Sequence, residues 1–596
     1  MILQALVKYY ETLVKNGKLA PIGWGTENVS YSIEIDIDGN ICGIVSRKQL
    51  DDETGKSSPQ KMIVPVHKGR SGTNPKPYFL CDNVAYMLGI IKMPQNEEES
   101  KKAHEKATAY LKAAAKYHIE LLQKIDEPCA VALRNFFLKW DPSDEKSVEV
   151  LNQYMDLLLK NENVIFSYNG EDIHRNPEIE RLWNEYCSED DISSDEDEKI
   201  CMITGKKDMP AITHIPIKGI WGANPSGARL VSFDKGSPAY TSFEKEQGLN
   251  APIGNKAMFA YTTALNYLIE KSDKRQCLSN AAGNKKTNKE ITYLVWAESG
   301  EKKYEDLYTQ FLFGGSYNED ELKKMVIKIC RGESFIFDEK YIDVNEKFYV
   351  LGLSPNNARI SVRFFECNSF GNMIKNIQLH QERLRIEKNG KKLDRNISIW
   401  QIIRETYREG GEASPLLSGE LVRSIVENTR YPATIINAID MRIRADRKIN
   451  DIRAAMIKAY YLKNDNIYVP KEVLTVALNK DTDNVAYNLG RLFAILEKIQ
   501  NEANPGLNAT IKDKFFVSAS SVPARIFPNL INLSQNHLRK IGGGLRIHYE
   551  KQIGEIMDKI SSFPAILNMP VRGAFLLGYY HQEQELYKGK KELKED

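Results

Sequence analysis

The chain has 596 residues, too many for one hydrophobic core, and is expected to form about three or four folding units. Hydrophobic residues make up 42% and charged residues 27% of the sequence, which argues against a disordered, collagen-like or membrane-spanning chain. The 82 basic and 80 acidic residues leave a net charge of +2. Nucleic-acid binding would therefore depend on local basic patches and not on the overall charge.

The cysteines and the hydropathy pattern together predict a reducing, cytoplasmic location. Eight cysteines are scattered through the chain without a CxxC pair, a spacing that suits neither a disulfide framework nor a zinc ribbon. No run of about 18 apolar residues occurs, so no membrane span is expected. We accordingly predict no metal and no cofactor.

The order of sequence patterns predicts a multi-domain α+β protein. The first helix has apolar residues at helical spacing from Leu3 to Val14, and a strand, a turn and a second strand follow from Val29 to Val45. Seven acidic residues between Glu189 and Glu198 indicate a linker or surface loop. The predicted parts are an N-terminal mixed α/β domain (1–188), the acidic segment (189–199), a central α+β domain (200–470) and a C-terminal all-α helical bundle (471–596).

The residue types needed for catalysis are not arranged in any recognisable pattern. The nine histidines are spread singly, without an HExxH, HD or HxH arrangement. We therefore predict that the chain is not an enzyme. A nuclease with an unrecognised site is the alternative that stays open.

A basic, glycine- and proline-rich segment lies in the N-terminal part. From Gly55 to Cys81 there are five basic residues and no aspartate or glutamate. Arginine pairs with guanine and asparagine with adenine, while lysines hold phosphates. We predict that Arg70 and Asn74 read bases and that Lys68 and Lys76 anchor the backbone. A solvated basic loop is an equally weighted alternative, and the neighbouring Tyr78 and Phe79 either stack on a base or belong to the core.

A second basic stretch lies in the predicted helical bundle. From Lys512 to Arg572 the sequence contains nine Lys or Arg residues and four acidic ones. Such a surplus suits a groove that follows a nucleic-acid strand. The alternative is the mixed charged face that any helical bundle presents to solvent.

Segments along nearly the whole chain resemble the large subunit of the type I-C CRISPR Cascade, a crRNA-guided surveillance complex. No single segment is decisive, but their set and order are specific. The segments are MILQAL with the Tyr-Tyr helix that follows it, RSGTNPKPYFLCDNVAYMLG (70–89), CMITG (201–205), SGARLVSFD (226–234), APIGNKAMFAYTTALNYLI (251–269), LGLSPNNARISVRFF (351–365), YNLGRLFAILEKIQ (487–500), FFVSASSVPARIFPNL (515–530) and FLLGYYHQ (575–582).

This resemblance implies a non-catalytic subunit that recognises the protospacer-adjacent motif in double-stranded DNA and helps to open the duplex, while the guide RNA reads the target. It adds Thr73 to the candidates for motif contact. It also implies that the C-terminal bundle is similar to the small subunit and holds the displaced strand. The candidates for that contact are Arg525, Arg539, Lys540, Arg546 and Lys551.

The partners implied by the resemblance are crRNA, target DNA, the backbone, crRNA-processing and small subunits, and a helicase-nuclease recruited on target binding. No membrane partner is expected. A scaffold that holds only the crRNA 5′ end, without touching target DNA, is the remaining alternative.

Overall fold

A computed structural model describes residues 1–50, 57–67, 75–144, 149–189, 198–233, 248–271, 291–313, 319–337, 339–389, 391–392, 396–411 and 414–595. The chain divides into two compact units. The first unit contains Leu6–Thr213 and Phe233–Tyr261, and the second contains Met1–Ala5, His214–Ser232 and Thr262–Asp596.

The first 213 residues alternate between helices and short strands. The helices are α1 (Ile2–Lys15), α2 (Val84–Met87), α3 (Glu97–Leu122), α4 (Pro128–Lys139), α5 (Met155–Leu158) and α6 (Pro177–Glu189). The strands are β1 (Trp24–Val29), β2 (Tyr31–Ile35), β3 (Ile41–Ser46), β4 (Gln49–Leu50), β5 (Ser57–Ser58), β6 (Gln60–Pro65), β7 (Cys81–Asn83), β8 (Asn163–Tyr168), β9 (Glu171–Asp172), β10 (Lys199–Ile200) and β11 (Lys207–Asp208).

A mixed sheet organises the first unit. Its strands run in the order β3-β2-β8-β7, with β9 paired to β8, and β2 and β8 are parallel while the other pairs are antiparallel. Helix α4 covers β2 and β8, with the ring of Phe136 centred 4.9 Å from that of Phe166. Both rings are buried, so aromatic packing between helix and sheet forms much of this core.

The turn that the sequence predicts between the first two predicted strands is present, and it requires a glycine. Gly39 lies between β2 and β3 with φ of +82°. A Cβ atom at this position would lie 2.2 Å from the backbone nitrogen of Phe136. Glycine alone meets both conditions, since it tolerates positive φ and lacks a side chain.

The rest of the described chain carries a second sheet and then helices. The strands are β12 (Thr292–Ala297), β13 (Phe335–Phe337), β14 (Lys340–Ile342), β15 (Lys347–Asn356), β16 (Arg359–Ser369), β17 (Glu387–Lys388) and β18 (Lys391–Lys392). The helices are α7 (Asn255–Lys271), α8 (Lys302–Phe313), α9 (Glu319–Cys330), α10 (Phe370–Leu384), α11 (Ile399–Arg404), α12 (Pro415–Val426), α13 (Ala433–Asp446), α14 (Asp451–Lys463), α15 (Val485–Ala503), α16 (Ile511–Ala519), α17 (Pro523–Leu538), α18 (Gly543–Met557) and α19 (Met569–Glu595).

The second unit is built on the antiparallel sheet β12-β15-β16 and the helices that follow it. Every residue of β12 is buried, so both faces of this strand are covered. One continuous cluster of buried apolar residues extends from Ile291 in the sheet region to Tyr580 in α19. Sheet and helices of this unit therefore share a single core.

Helices α15 and α19 form the centre of the helical part. The apolar stripe of α15 that includes Leu489, Leu492 and Leu496 is fully buried, as the sequence predicts. The glycine run that begins at Gly542 separates α17 from α18, and Gly542 is the N-cap of α18.

The predicted multi-domain α+β class with a helical C-terminal region is confirmed. The domain boundaries at residues 188, 199 and 470 stay predictions. None of the described helices is long and apolar enough to cross a membrane.

Candidate nucleic-acid interface

The N-terminal basic segment is described only in part. Lys68, Arg70, Thr73 and Asn74 lie outside the described residues. Lys76 is described, and its side chain is exposed. Its backbone N–H donates a hydrogen bond to the hydroxyl of Tyr86, over 3.4 Å.

A stacked aromatic pair joins positions 67 and 78, on either side of the central part of the basic segment. The His67 ring lies parallel to the Tyr78 ring, with centroids 4.1 Å apart and planes at 13°. His67 Nε2 donates to the Cys81 carbonyl over 2.8 Å, and its Nδ1 is 3.7 Å from a carboxylate oxygen of Glu27. Residue 67 and residue 78 are thus fixed next to each other at the base of the segment.

Buried polar groups fix the backbone that follows Tyr78. The Tyr78 N–H donates to Asp82 Oδ2 over 2.8 Å, and the Leu80 N–H donates to His118 Nε2 over 2.9 Å. Leu80 has φ of +57°, a conformation that is uncommon for a residue other than glycine. Burial lowers the pKa of His118 to about 4, so the ring is neutral and Nε2 can accept this bond.

The two aromatic residues of the segment have different environments. Phe79 is fully buried and stacks on Trp183 and His118, with centroids 5.0 Å and 5.4 Å away. Tyr78 is half-buried against His67. Phe79 is therefore a core residue and not a base-stacking residue, because its ring has no free face on which a base could stack.

The C-terminal basic residues lie on two consecutive helices and the connection between them. Arg525 is in the first turn of α17 and Arg539 is its C-cap, while Lys540 follows at once in the connection to α18. Arg546 and Lys551 are on α18. All five side chains are exposed.

A polar ridge runs along the outer face of α17. Arg525, Asn529, Asn532, Asn536 and Arg539 follow one another at intervals of four and three residues, which is the spacing of a single helix face. All five are exposed. The asparagines were missed by the sequence reasoning. The absence of any aspartate or glutamate from Lys514 to Tyr549 is a signal that was available.

The cations of α17, α18 and their connection differ in their partners. Arg546 Nε is 2.8 Å from Glu550, Lys551 Nζ is 4.0 Å from Glu555, and Lys540 Nζ donates to Asn504 over 3.0 Å. The side chains of Arg525 and Arg539 form no ion pair or hydrogen bond with the residues that the structure describes. These two arginines are therefore the most available to an anionic ligand.

The connection between α17 and α18 is open on its outer side. No atom would lie within 4 Å of a Cβ placed on Gly542, Gly543 or Gly544. The side chains of Leu545 and Ile547, in the first turns of α18, are exposed beside them. A nucleic-acid backbone could approach the main chain closely here.

A stretch of sequence without carboxylates, with exposed amides and with arginines that have no partner among the described residues, is typical of a nucleic-acid-binding subunit. The family model described as CRISPR-associated protein (Cas_Csd1) matches residues 6–587, nearly the whole chain. The chain therefore belongs to this family and is a CRISPR-associated Cascade subunit, which confirms the resemblance seen in the sequence. A search of curated proteins finds no match.

Proposed function

We propose that the chain is the non-catalytic large subunit of a cytoplasmic type I-C Cascade, which recognises the protospacer-adjacent motif in double-stranded DNA. It works with crRNA and with the backbone, crRNA-processing and small subunits. It aids duplex opening, stabilises the R-loop and helps to recruit a separate helicase-nuclease. The observation that carries the DNA-binding part of this proposal is the polar ridge of α17.

The anchored basic segment supports motif recognition by the first unit. A reading loop must hold its side chains in a fixed position relative to the base edges. The His67–Tyr78 stack and the Leu80–His118 hydrogen bond fix both ends of the segment that contains Lys68, Arg70, Thr73 and Asn74. The exposed Lys76 side chain adds a positive charge directly after these residues.

The ridge of α17 supports binding of the displaced strand. From Arg525 to Arg539 it covers about 20 Å at a rise of about 1.5 Å per residue. An arginine with no partner among the described residues lies at each end, and the asparagine amides between them can donate to phosphate or sugar oxygens. With no carboxylate along this stretch, phosphates meet no repulsion from it.

Motif reading is tested by the duplex affinity of the reconstituted crRNA-loaded complex on targets with an intact or a scrambled motif. Loss of a base contact in Arg70→Ala or Asn74→Ala should cost about 1–3 kcal/mol on the intact motif and much less on the scrambled one. Lys68→Ala should weaken both targets alike, because a phosphate contact carries no sequence information. Unchanged motif preference in all three variants would refute motif reading by this segment.

Strand binding is tested with Arg525→Ala/Arg539→Ala on a target whose displaced strand is already open. Two lost single-strand phosphate contacts should reduce the slope of log affinity against log salt by about 1.4. The control is Arg444→Ala, an exposed arginine on α13 outside the ridge. Equal slopes for the wild type and the double variant would show that the ridge binds no strand.

The absence of catalysis is tested separately on the isolated chain. Single- and double-stranded DNA are incubated with it in Mg²⁺ or Mn²⁺ and examined for cleavage. We expect intact DNA, and metal-dependent cleavage that co-purifies with the chain would establish the nuclease alternative.

A further inference from the structure

A glycine-rich loop of the second unit carries an exposed tryptophan. Residues 218–227 (KGIWGANPSG) form this loop, which we call the glycine loop. Its two ends are joined by backbone hydrogen bonds in both directions between Ile217 and Ala228, over 2.8 Å and 2.9 Å. Trp221 is 44% exposed, whereas the neighbouring Ile220 is buried. The loop is thus closed at its base and presents a large aromatic residue to solvent.

A tight turn places Trp221 at a corner of the glycine loop. The Ala223 N–H donates a hydrogen bond to the Ile220 carbonyl over 3.1 Å, so residues 220–223 form one turn. Gly222 follows Trp221 with φ of +74°, a conformation that such turns favour for glycine. The Trp221 side chain forms no aromatic ring pair and no hydrogen bond with the residues that the structure describes. Its indole ring is therefore available to a ligand.

Contacts with α7 hold the first part of the glycine loop in place. The Lys218 N–H donates a hydrogen bond to Asn266 Oδ1 over 2.9 Å. Gly219 packs against the same helix, because a Cβ on it would lie 2.9 Å from a methyl carbon of Ile269. A loop that is held in this way does not have to be ordered when a ligand binds, which reduces the entropic cost of binding.

The turn between β15 and β16 lies beside the base of the glycine loop. The Arg229 N–H donates to the Ala358 carbonyl, and the Ile360 N–H donates to the Arg229 carbonyl, each over 3.0 Å. Residues 356–359 (NNAR) of this turn are all exposed. The backbone hydrogen bonds therefore join the glycine loop and the β15–β16 turn into one surface, which offers asparagine amides and an arginine beside the loop.

Both parts of this surface belong to stretches of sequence without acidic residues. From His214 to Ser232 and from Lys347 to Phe365 there is no aspartate or glutamate, although 80 of the 596 residues are acidic. The exposed Lys218 side chain has no ion pair or hydrogen bond with the described residues. On the adjoining helix α7, the exposed Glu270 is followed by the exposed Lys271, so their charges offset each other. The net charge of the surface is therefore positive.

We propose that the glycine loop and the β15–β16 turn bind an unpaired nucleotide of a single-stranded nucleic acid. The base stacks on the Trp221 ring, which accepts any base because every base has a π-face. Lys218 and the amides of the turn contact phosphate and sugar oxygens, and the glycines let the strand approach the main chain closely. The inference rests on the proposed function only in that the chain works with crRNA and target DNA, which are the two sources of such a strand.

A single strand fits this surface better than a duplex or a protein does. Bases inside a duplex are stacked on one another, so they expose no face to Trp221. A protein contact has several apolar groups together at its centre. In residues 218–227 and 356–359, all of which the structure describes, Trp221 is the only large apolar residue that is exposed, and the next one along the described chain is Ile215 at 37%. An isolated aromatic ring among glycines, amides and cations is the composition of a base-stacking site.

The first test compares two substitutions of Trp221 in two affinities, that of the chain for crRNA with the remaining subunits and that of the assembled complex for target DNA. Trp221→Leu keeps an apolar side chain but removes the ring, and it should lower one of these affinities about tenfold. Trp221→Phe keeps a ring and should retain most of the affinity. Tyr468→Leu, at a position with 53% exposure outside this surface, is the control and should bind like the wild type.

The affinity that falls tells whether the strand is crRNA or DNA. Wild-type values for Trp221→Leu in both measurements, or an equal loss in Trp221→Leu and Trp221→Phe, would overturn the proposal. The unfolding temperature of the isolated chain should not change in either variant, because the Trp221 ring has no ring partner to lose. Motif preference should also stay as in the wild type, so failure of this site and failure of motif reading give different results.

The second test identifies the molecule that touches the glycine loop. Trp221→p-benzoylphenylalanine is irradiated in the target-bound complex, in which crRNA and the two DNA strands carry different labels. A cross-link to one of the three strands supports the proposal and names the strand. A cross-link to a protein subunit, or a yield no greater than that of Tyr468→p-benzoylphenylalanine, refutes it.

Discussion

Arg453 is held inside the second unit by two carboxylates. Its Nε lies 2.6 Å from Glu405, and its two terminal nitrogens lie 2.7 Å and 2.9 Å from the oxygens of Asp446. A fourth bond reaches the carbonyl of Lys448 over 2.8 Å. The guanidinium therefore ties α14 to α11 and to the end of α13, and these hydrogen bonds and ion pairs raise its pKa against the effect of burial.

Replacing this residue should strongly destabilise the protein. Arg453→Ala leaves the carboxylate of Glu405 without its cation, and Asp446 keeps only its ion pair with Arg442 at 3.0 Å. Breaking a buried ion pair costs about 3–5 kcal/mol. Chemical denaturation of the second unit measures the loss. The control is Arg430→Ala, because its ion pair with Asp465 is exposed and long at 3.5 Å, and such pairs contribute about 0–1 kcal/mol. Similar losses in the two variants would contradict the assigned role of Arg453.

At the scale of single residues, the sequence identifies candidates by their residue type but does not reveal their surroundings in the fold. It identifies Arg525 and Arg546 as equivalent candidates, yet Arg546 is 2.8 Å from Glu550 while Arg525 has no described partner. It leaves Phe79 between a stacking residue and a core residue, because the choice depends on Trp183 and His118, which are distant in the chain. Neighbours brought together by the fold decide both cases.

Two glycines determine how closely α15 and α19 approach each other. A Cβ on Gly490 would lie 2.0 Å from the carbonyl oxygen of Phe575, and one on Gly578 would lie 2.0 Å from that of Tyr487. Since each neighbouring atom belongs to a helix backbone, neither clash can be relieved by a side-chain rotation. The two helices must move apart if either glycine is replaced by alanine.

Gly578→Ala should therefore destabilise the helical part, by about 1–3 kcal/mol as for other overpacked cores. Gly554→Ala is the matched control, since Gly554 is in α18 and no atom lies within 4 Å of its virtual Cβ. There alanine should stabilise the protein by about 0.5–1 kcal/mol through its higher helix propensity. The two changes are compared by thermal unfolding, and a shift of the same sign in both would refute the close-contact explanation.

At the scale of elements, the predicted apolar patterns hold where the element packs against a core. Helix α1, strand β12 and strand β16 appear where the apolar patterns place them. The β13–β14 hairpin is harder to predict, because Phe335 and Ile336 are both apolar although one is inward and the other outward. Apolar residues kept at the surface break the alternation on which strand prediction depends.

At the scale of the whole molecule, four of the buried histidines make stability depend on pH. Burial lowers the pKa of His118 and His174 to about 4, and that of His380 and His581 to about 3. The first two belong to the first unit and the other two to the second. Both units therefore contain neutral imidazoles that must stay neutral for the fold to persist.

The sign of the effect follows from proton binding. Unfolded histidines have a pKa of about 6.5, so below that pH the unfolded chain binds protons that the folded chain does not. Stability should fall as pH decreases from about 6.5 towards the folded-state values and change little above 7. Burial raises the pKa of Glu583, whose protonation in the folded state offsets part of this loss at the acidic end.

Urea unfolding at pH 7.5 and 5.5 tests this dependence, with a fluorescence probe for each unit. Each buried histidine should lower the free energy of unfolding by about 1.4 kcal/mol over that interval, so each unit should lose up to about 3 kcal/mol. His581→Gln removes one titrating group and should flatten the slope for the second unit by up to one proton. Equal stability at the two pH values would contradict the prediction, because it would mean that these imidazoles accept protons in the folded protein despite their burial.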